Sequence, residues 1–395
     1  AESLIKSRCA DILFASSSVL VRRTSAMAFS TGADVGSILL LEHINLNTDN
    51  PEASLTFFLD GLGLAQDPRM GESVDGKVYV NTTIWLNAGL QQLHMPITTR
   101  GASGPATNVL NGRIHLDVPS LLEARARLAA VAPALVGTKF AIMQEREQAD
   151  ADERESVTVS DPAGNLFVLH EREQVSRDTR CYHPGEPSWC LGIPLVEVAC
   201  PPNTTPGIAR YYQHYFGART SLETGVATVA TGPSQRLRFY EDPQLERPAV
   251  GADGRVAPGY HQQQHGLHVC VYLADGTHAP ALKRLSKDGL LWGNPRYRDL
   301  DHSLGTTQFR CKDLVDPSEP AAVLLELEHE VRTTTHATSP FGHARPHALP
   351  APRALTVPKL VSTVTDAYEK DFAAIRAAKE AIREGWVPGM GQILA

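Results

Sequence analysis

The stretch "LEHINLN", Leu41 to Asn47, decides the fold. It alternates apolar and polar residues in the manner of a half-buried strand. Leu41, Ile44 and Leu46 read as packing residues, and His43, Asn45 and Asn47 share the opposite face. A histidine in the middle of so apolar a strand is either a satisfied polar residue or a ligand.

The segment after it repeats. "TDNPEASLTFFLDGLGL" opens on Asn50, a helix cap, and Pro51, which suits a first helical turn. Leu55, Phe58 and Leu59 form an apolar stripe at helical spacing, and Gly61 and Gly63 stop it. Strands follow from about residue 78 to residue 95, closing in "GLQQLHMP". The order then restarts three times. "GRIHLDVP" leads to the helix "SLLEARARLAAV", opened by Ser120, and the unit closes in "VTVSDPAGNLFVLHE", where "DPAGN" is a turn. "PLVEVACP" leads to "TPGIARYYQHYFGA" and "QRLRFYED". "GLHVCVYLAD" leads to "THAPALKRLSKDGL" and closes in "DLVDPSEPAAVLLELEHEVR".

The strand centres His43, His115, Glu197 and His268 are spaced by 72, 82 and 71 residues. The fold class expected is α+β, with four strand–helix–strand–strand–strand units arranged as two pairs. The pairs span residues 39–172 and 190–333. Residues 1–38 form an N-terminal extension. Residues 334–395 form a Pro-rich linker and a C-terminal helix with Glu and Lys side by side on its faces.

Composition bounds the function. The chain has 395 residues and a formal net charge of −7, which argues against a non-specific nucleic-acid binder. No apolar run reaches the ~20 residues of a spanning helix. The six cysteines are scattered without a Cys-x-x-Cys, the usage of a reducing compartment. The extension is rich in Ser, Ala and Arg and poor in acid, as an organellar transit peptide is. The expected location is intracellular: chloroplast or mitochondrion on that reading, and otherwise cytoplasm. There is no Walker loop and no Gly-x-Ser-x-Gly. Among the tempting features, His261 and His265 read as loop residues, and His336, His343 and His347 as linker residues.

The opening strand and helix, "GRIHLDV", and the closing "DPAGNLFVL" resemble the vicinal oxygen chelate superfamily, which includes glyoxalase I, extradiol dioxygenases and bleomycin-resistance proteins. The resemblance covers about residues 39–333. It implies curved mixed sheets in which two units close into one cup, with ligands from the opening and closing strands facing inward. It implies a divalent metal (Fe, Zn, Ni or Mn) that polarises paired oxygens of a small substrate.

On this reading His43 and His115 are the opening-strand ligands of the first pair. Its closing glutamate is replaced by Val168, while Gln92, His94 and His170 line the pocket. In the second pair Glu197, His268 and Glu326 form the ligand triad, with Glu326 the catalytic carboxylate and Arg238 in the fourth position. Glu328 lies one pleat beyond Glu326 on the same face. The expected function is a metal-dependent lyase or isomerase on a small oxygenated substrate. The alternatives are a non-catalytic small-molecule binder of bleomycin-resistance type and an extradiol dioxygenase. The expected partner is a small-molecule ligand, with neither nucleic acid nor membrane and with association into a homodimer.

Overall fold

A computed structural model describes residues 36–67, 73–74, 77–78, 83–97, 107–143, 155–172, 188–249, 266–293 and 307–336. Most of the N-terminal extension, most of the linker, the C-terminal helix, His261 and His265 lie outside the described residues.

The first unit contains β1 (Ile38–Asn45), α1 (Pro51–Leu55), β2 (Ala65–Gln66), a small hairpin of β3 (Ser73–Val74) and β4 (Lys77–Val78), then β5 (Thr83–Ala88) and β6 (Gln91–Pro96). The second contains β7 (Gly112–Val118), α2 (Leu121–Val131), β8 (Ala141–Ile142), β9 (Ser156–Ser160) and β10 (Leu166–Glu171). The third contains β11 (Gly192–Cys200), α3 (Thr205–Tyr211), β12 (Thr220–Glu223), β13 (Val226–Gly232) and β14 (Gln235–Glu241). The fourth contains β15 (His268–Leu273), α4 (His278–Lys287), β16 (Gln308–Asp316) and β17 (Glu319–Thr333).

Local chemistry explains these boundaries. Asn50 Oδ1 accepts the Ala53 N–H at 3.1 Å with Pro51 at the first helical position, so α1 starts where two orphan-donor rules coincide. Ser120 Oγ caps α2 in the same way through Glu123 N. In "DPAGN", Asp161 Oδ1 accepts the N–H groups of Ala163, Gly164 and Asn165, and Gly164 takes a φ of 103° that a side chain disfavours. Phe57 and Phe58 fall in a π-helical turn, Thr56–Gly61, after α1, and Tyr212, Tyr215 and Phe216 fall in another, Tyr212–Phe216, after α3.

Two large mixed sheets result. The first has the order β16-β17-β15-β1-β6-β5-β2, and the second β12-β13-β14-β11-β7-β10-β9-β8. In each, two opening strands lie antiparallel at the centre, β1 beside β15 and β7 beside β11. Each opening strand runs parallel to the closing strand of its own unit.

The pairing corrects the expectation from the sequence. Unit one shares a sheet with unit four, and unit two with unit three. The expected sequential pairs, 39–172 and 190–333, therefore do not each form one sheet. All four opening strands carry the same alternation, and alternation specifies which face is buried but not which strand lies alongside. The core connects the two sheets. Phe57 and Phe58 of the first unit pack against Phe167 of the second sheet, and Tyr212 packs between Phe239 of the second sheet and His329 of the first. Gly112, at the start of β7, sits so close to β11 that a Cβ there would lie 1.9 Å from the Glu197 carbonyl oxygen.

Candidate metal centre

The first sheet concentrates ionisable side chains on one face around β1, β15 and β17. His43 is cross-strand to Cys270, and Asn45 to His268, while His268 is in register with Glu328 and Cys270 with Glu330. The β1–β15 register shifts between Leu41 and His43. A bulge lets two consecutive residues share a side, which is how Glu42 comes to lie beside His43. It also reconciles the apolar Leu41 with a strand whose polar face starts at His43.

Glu42 Oε2 lies 2.6 Å from His43 Nδ1, and both residues are buried. With the Glu42 carboxylate as acceptor, the His43 ring donates from Nδ1. Burial, reinforced by the charges of Arg332 and Arg310, pushes the His43 pKa well below the usual value and keeps the ring neutral. Its Nε2 lone pair then faces His268 Nε2 at 3.2 Å. Glu330 Oε2 lies 3.4 Å from His268 Nε2 and 3.9 Å from His43 Nε2. Burial alone would raise the Glu330 carboxyl, but the charges of Arg310 and Arg332 reverse this and hold it well below the usual range. His43, His268 and Glu330 thus bring two imidazole nitrogens and one ionised carboxylate oxygen to a common point.

The donor set fits a divalent cation. Ligands ~2.1 Å from one ion at tetrahedral or octahedral angles lie roughly 3.0–3.4 Å apart, close to two of the three edges here. Donors must be neutral imidazole and carboxylate, the forms that burial and the arginines favour for His43 and Glu330. A carboxylate on the far nitrogen of a ligating histidine is the usual support for such a site, and Glu42 supplies it. Among the described residues, the buried His268 Nδ1 has no hydrogen-bond partner, with Glu328 Oε1 3.9 Å away. A second grouping, Glu42, His43 and Cys270, is a poorer donor set because burial pushes the Cys270 thiol up and keeps it protonated.

Arginines frame the site. Arg310 Nη1 donates to Glu328 at 2.5 Å, and its Nη2 reaches Glu330 Oε2. Arg332 donates from Nε to Glu330 Oε1 at 2.5 Å and from Nη1 to Glu42 Oε2 at 3.2 Å. Each carboxylate oxygen has two lone pairs, so Glu330 Oε2 can take a guanidinium and a cation together. His94 stacks on His43 with ring centroids 3.8 Å apart, and its Nε2 is 2.8 Å from Gln92 Oε1. Gln92 in turn donates to Asp67 at 2.8 Å.

The residues expected from the sequence divide between the sheets. His43, Gln92, His94, His268 and Glu326 belong to the first, and His115, His170, Glu197 and Arg238 to the second. The expected grouping of Glu197, His268 and Glu326 as one triad is therefore corrected, as is that of His43 with His115. Glu326 stands 3.7 Å from Lys312 Nζ, while Glu328, not Glu326, is in register with His268. Glu326, Glu328 and Glu330 share one face at a period of two, so nothing in "LELEHEV" says which of them meets His268. Glu42, Glu330, Arg310 and Arg332 were not foreseen, and Glu42 could not be without the bulge. In the second sheet His115 Nδ1 lies 2.8 Å from His170 Nε2, and His115 Nε2 lies 3.1 Å from Glu197 Oε2. Arg238 Nη1 donates to Glu197 Oε1 at 3.1 Å.

No family model and no curated protein matches the chain. Among solved structures, the chain is similar to a Bacillus subtilis protein provisionally named a dioxygenase: 14% identity, TM-score 0.46, covering 76% of this chain and 87% of that one. Glyoxalase I from Zea mays is similar at 10% identity and TM-score 0.45, over 76% of this chain and 94% of the enzyme. The cppA protein of Streptococcus pneumoniae is similar at 13% identity and TM-score 0.37, over 76% of this chain and all of the other (100%). Likeness of this degree assigns no residue a role.

Among the described residues, no helix is long and apolar enough to cross a membrane. Cys190, Cys200, Cys270 and Cys311 are buried free thiols.

Proposed function

We propose that the first sheet holds a divalent cation on His43, His268 and Glu330, and that the protein is a metal-dependent enzyme acting on a small substrate with two adjacent oxygens. One observation carries this reading: the Nε2 atoms of two buried histidines face each other at 3.2 Å beside an ionised carboxylate. Bound there, the cation supplies Lewis acidity to paired oxygens, and redox-active iron in a two-histidine, one-carboxylate set supplies oxygen chemistry.

The surrounding residues set the details. Glu42 orients His43 and fixes its tautomer. Among the described residues the site holds three carboxylates, Glu42, Glu328 and Glu330, against two guanidiniums, Arg310 and Arg332. That leaves a formal charge of −1, which a divalent cation turns to +1, so the substrate that fits presents its oxygens as an anion. A lyase or isomerase of the glyoxalase kind needs a carboxylate that exchanges a proton with substrate. Glu42 and Glu328 both hydrogen-bond arginine, which favours the dioxygenase reading over the lyase. Ligand binding without metal is the competing reading, favoured by the two arginines already on Glu330.

Metal analysis decides between them. Protein purified without a His-tag and loaded anaerobically with Fe(II) should hold about one metal per chain. His268→Ala and Glu330→Gln should lose it, and His115→Ala should keep it. Oxygen uptake with catechol as probe then separates dioxygenase from lyase. A chain that takes up no metal and melts at the same temperature with or without chelator leaves only the binding reading.

A further inference from the structure

The second sheet carries a different chemistry on the face opposite its core. Ile114, Val196, Leu237 and Phe239 are buried on the core side. On the other side Arg113, Glu197 and Arg238 stand in one row across β7, β11 and β14, since each pair is in register. Arg113 is exposed, and the Arg238 side chain keeps 42% of its surface. His115 spends its two ring nitrogens on different partners, so these groups do not converge on one metal.

Charge is the unusual feature. Among the described residues, three arginines, Arg113, Arg236 and Arg238, share this face with one carboxylate in their midst, Glu197. Asp117, further along β7, is paired with Arg172 at 2.7 Å. This local excess of positive charge lies in a chain whose formal net charge is −7. The crowding shows on Arg236, whose guanidinium is held below its usual value by burial first and then by Arg219 and Arg238. It shows also on Glu197. Burial would raise that carboxyl, but His115, Arg238 and Arg113 outweigh burial and lower it. Among the described residues, Arg238 meets Glu197 through one hydrogen bond, from Nη1, and not through a two-point fork. Arg113 and Arg238 sit on the strands flanking β11, roughly 10 Å apart by strand spacing.

We propose that this face of the second sheet binds a small organic dicarboxylate, held between Arg113 and Arg238 with Glu197 as the internal competitor for Arg238. The planar carboxylate matches the guanidinium fork, and two such groups on a short carbon chain span the two arginines. The site is separate from the metal centre of the first sheet and does not rest on it.

The test is calorimetric titration of the full chain, at low ionic strength and in chelator, with succinate and with inorganic phosphate as probes. The same titrations on Glu330→Gln keep the outcome independent of the metal reading. Succinate should bind wild type and Glu330→Gln alike. Arg238→Gln and Arg113→Gln should each weaken succinate about tenfold or more, the loss expected for a charge-assisted pair. Glu197→Gln should tighten it severalfold, because Arg238 is released. A purely structural role for Glu197 does not predict that sign. Unchanged melting temperatures of the arginine variants show that the fold is intact. Binding of phosphate equal to or tighter than succinate would overturn the proposal, as would no succinate binding, indifference to both arginine substitutions, or weaker binding by Glu197→Gln.

Discussion

The two sheets build the same frame and fill it differently. Each sets two antiparallel opening strands at its centre and brings their central side chains together: His43 to His268 at 3.2 Å in the first, His115 to Glu197 at 3.1 Å in the second. Closing strands lie in parallel register beside them. The positions next to the central residues are Gln92 and Glu328 in the first sheet, and Val168 and Arg238 in the second. On the readings proposed above, two buried histidines beside carboxylates hold a cation, and a histidine and a glutamate beside arginines, partly open, face an anion. The frame decides where side chains meet, and a few flanking residues decide the sign of what they attract.

The comparison breaks most sharply at Glu330. Glu330→Ala leaves Arg310 and Arg332 buried without their shared partner, and loss of one side of a buried pair costs about 3–5 kcal/mol. Urea unfolding should show that loss. A cost no larger than that of an exposed pair would mean that the first sheet is as solvated as the second. Metal comes next. Addition of Fe(II) or Mn(II) at ~100 times its dissociation constant should stabilise the wild type by about 2.7 kcal/mol. The gain should vanish in His268→Ala and persist in His115→Ala, as read by melting temperature. A gain that followed His115 instead would move the metal to the second sheet.

How much of this the residues announce depends on the range of the interaction. The Asn50 and Ser120 caps and the Asp161 turn are local, and "DNPEA", "PSLLE" and "DPAGN" state them outright. The four opening strands follow from alternation. Which opening strands pair does not, because β1 meets β15 across more than two hundred residues of chain with no distinguishing pattern. Nor does the carboxylate. Three glutamates at a period of two present one face, and only the β15–β17 register selects Glu328 and Glu330 over Glu326. Glu42 needed the bulge, which no single-residue preference in "LLEHIN" marks.

In the second sheet a central substitution should be mild. His115→Ala removes a ring that bridges Glu197 and His170, but Arg238 still pairs Glu197 and solvent reaches the face. The expected loss is about 1 kcal/mol, the net value of one hydrogen bond. A loss of several kcal/mol in urea unfolding would show that this face is as buried as the first.

The weakest link predicted joins the two sheets. Arg210 on α3, in unit three, grips Asp316 at the end of β16, in unit four, with Nε 3.1 Å from Oδ1. Its hydrogen bond, with help from Ser318, holds the Asp316 carboxyl below the usual range. A depressed carboxyl stabilises the folded state above its unfolded pKa, about 4, and the contribution fades as pH falls towards the folded value. Half of Arg210 is exposed, so screening limits the effect to about 1 kcal/mol or less. Asp316→Asn should therefore trail wild type slightly in urea at neutral pH, and the gap should narrow below about pH 4. A gap that does not change between the two pH values would show that the pair contributes shape alone, leaving apolar packing of α3 on β16 to hold the sheets together.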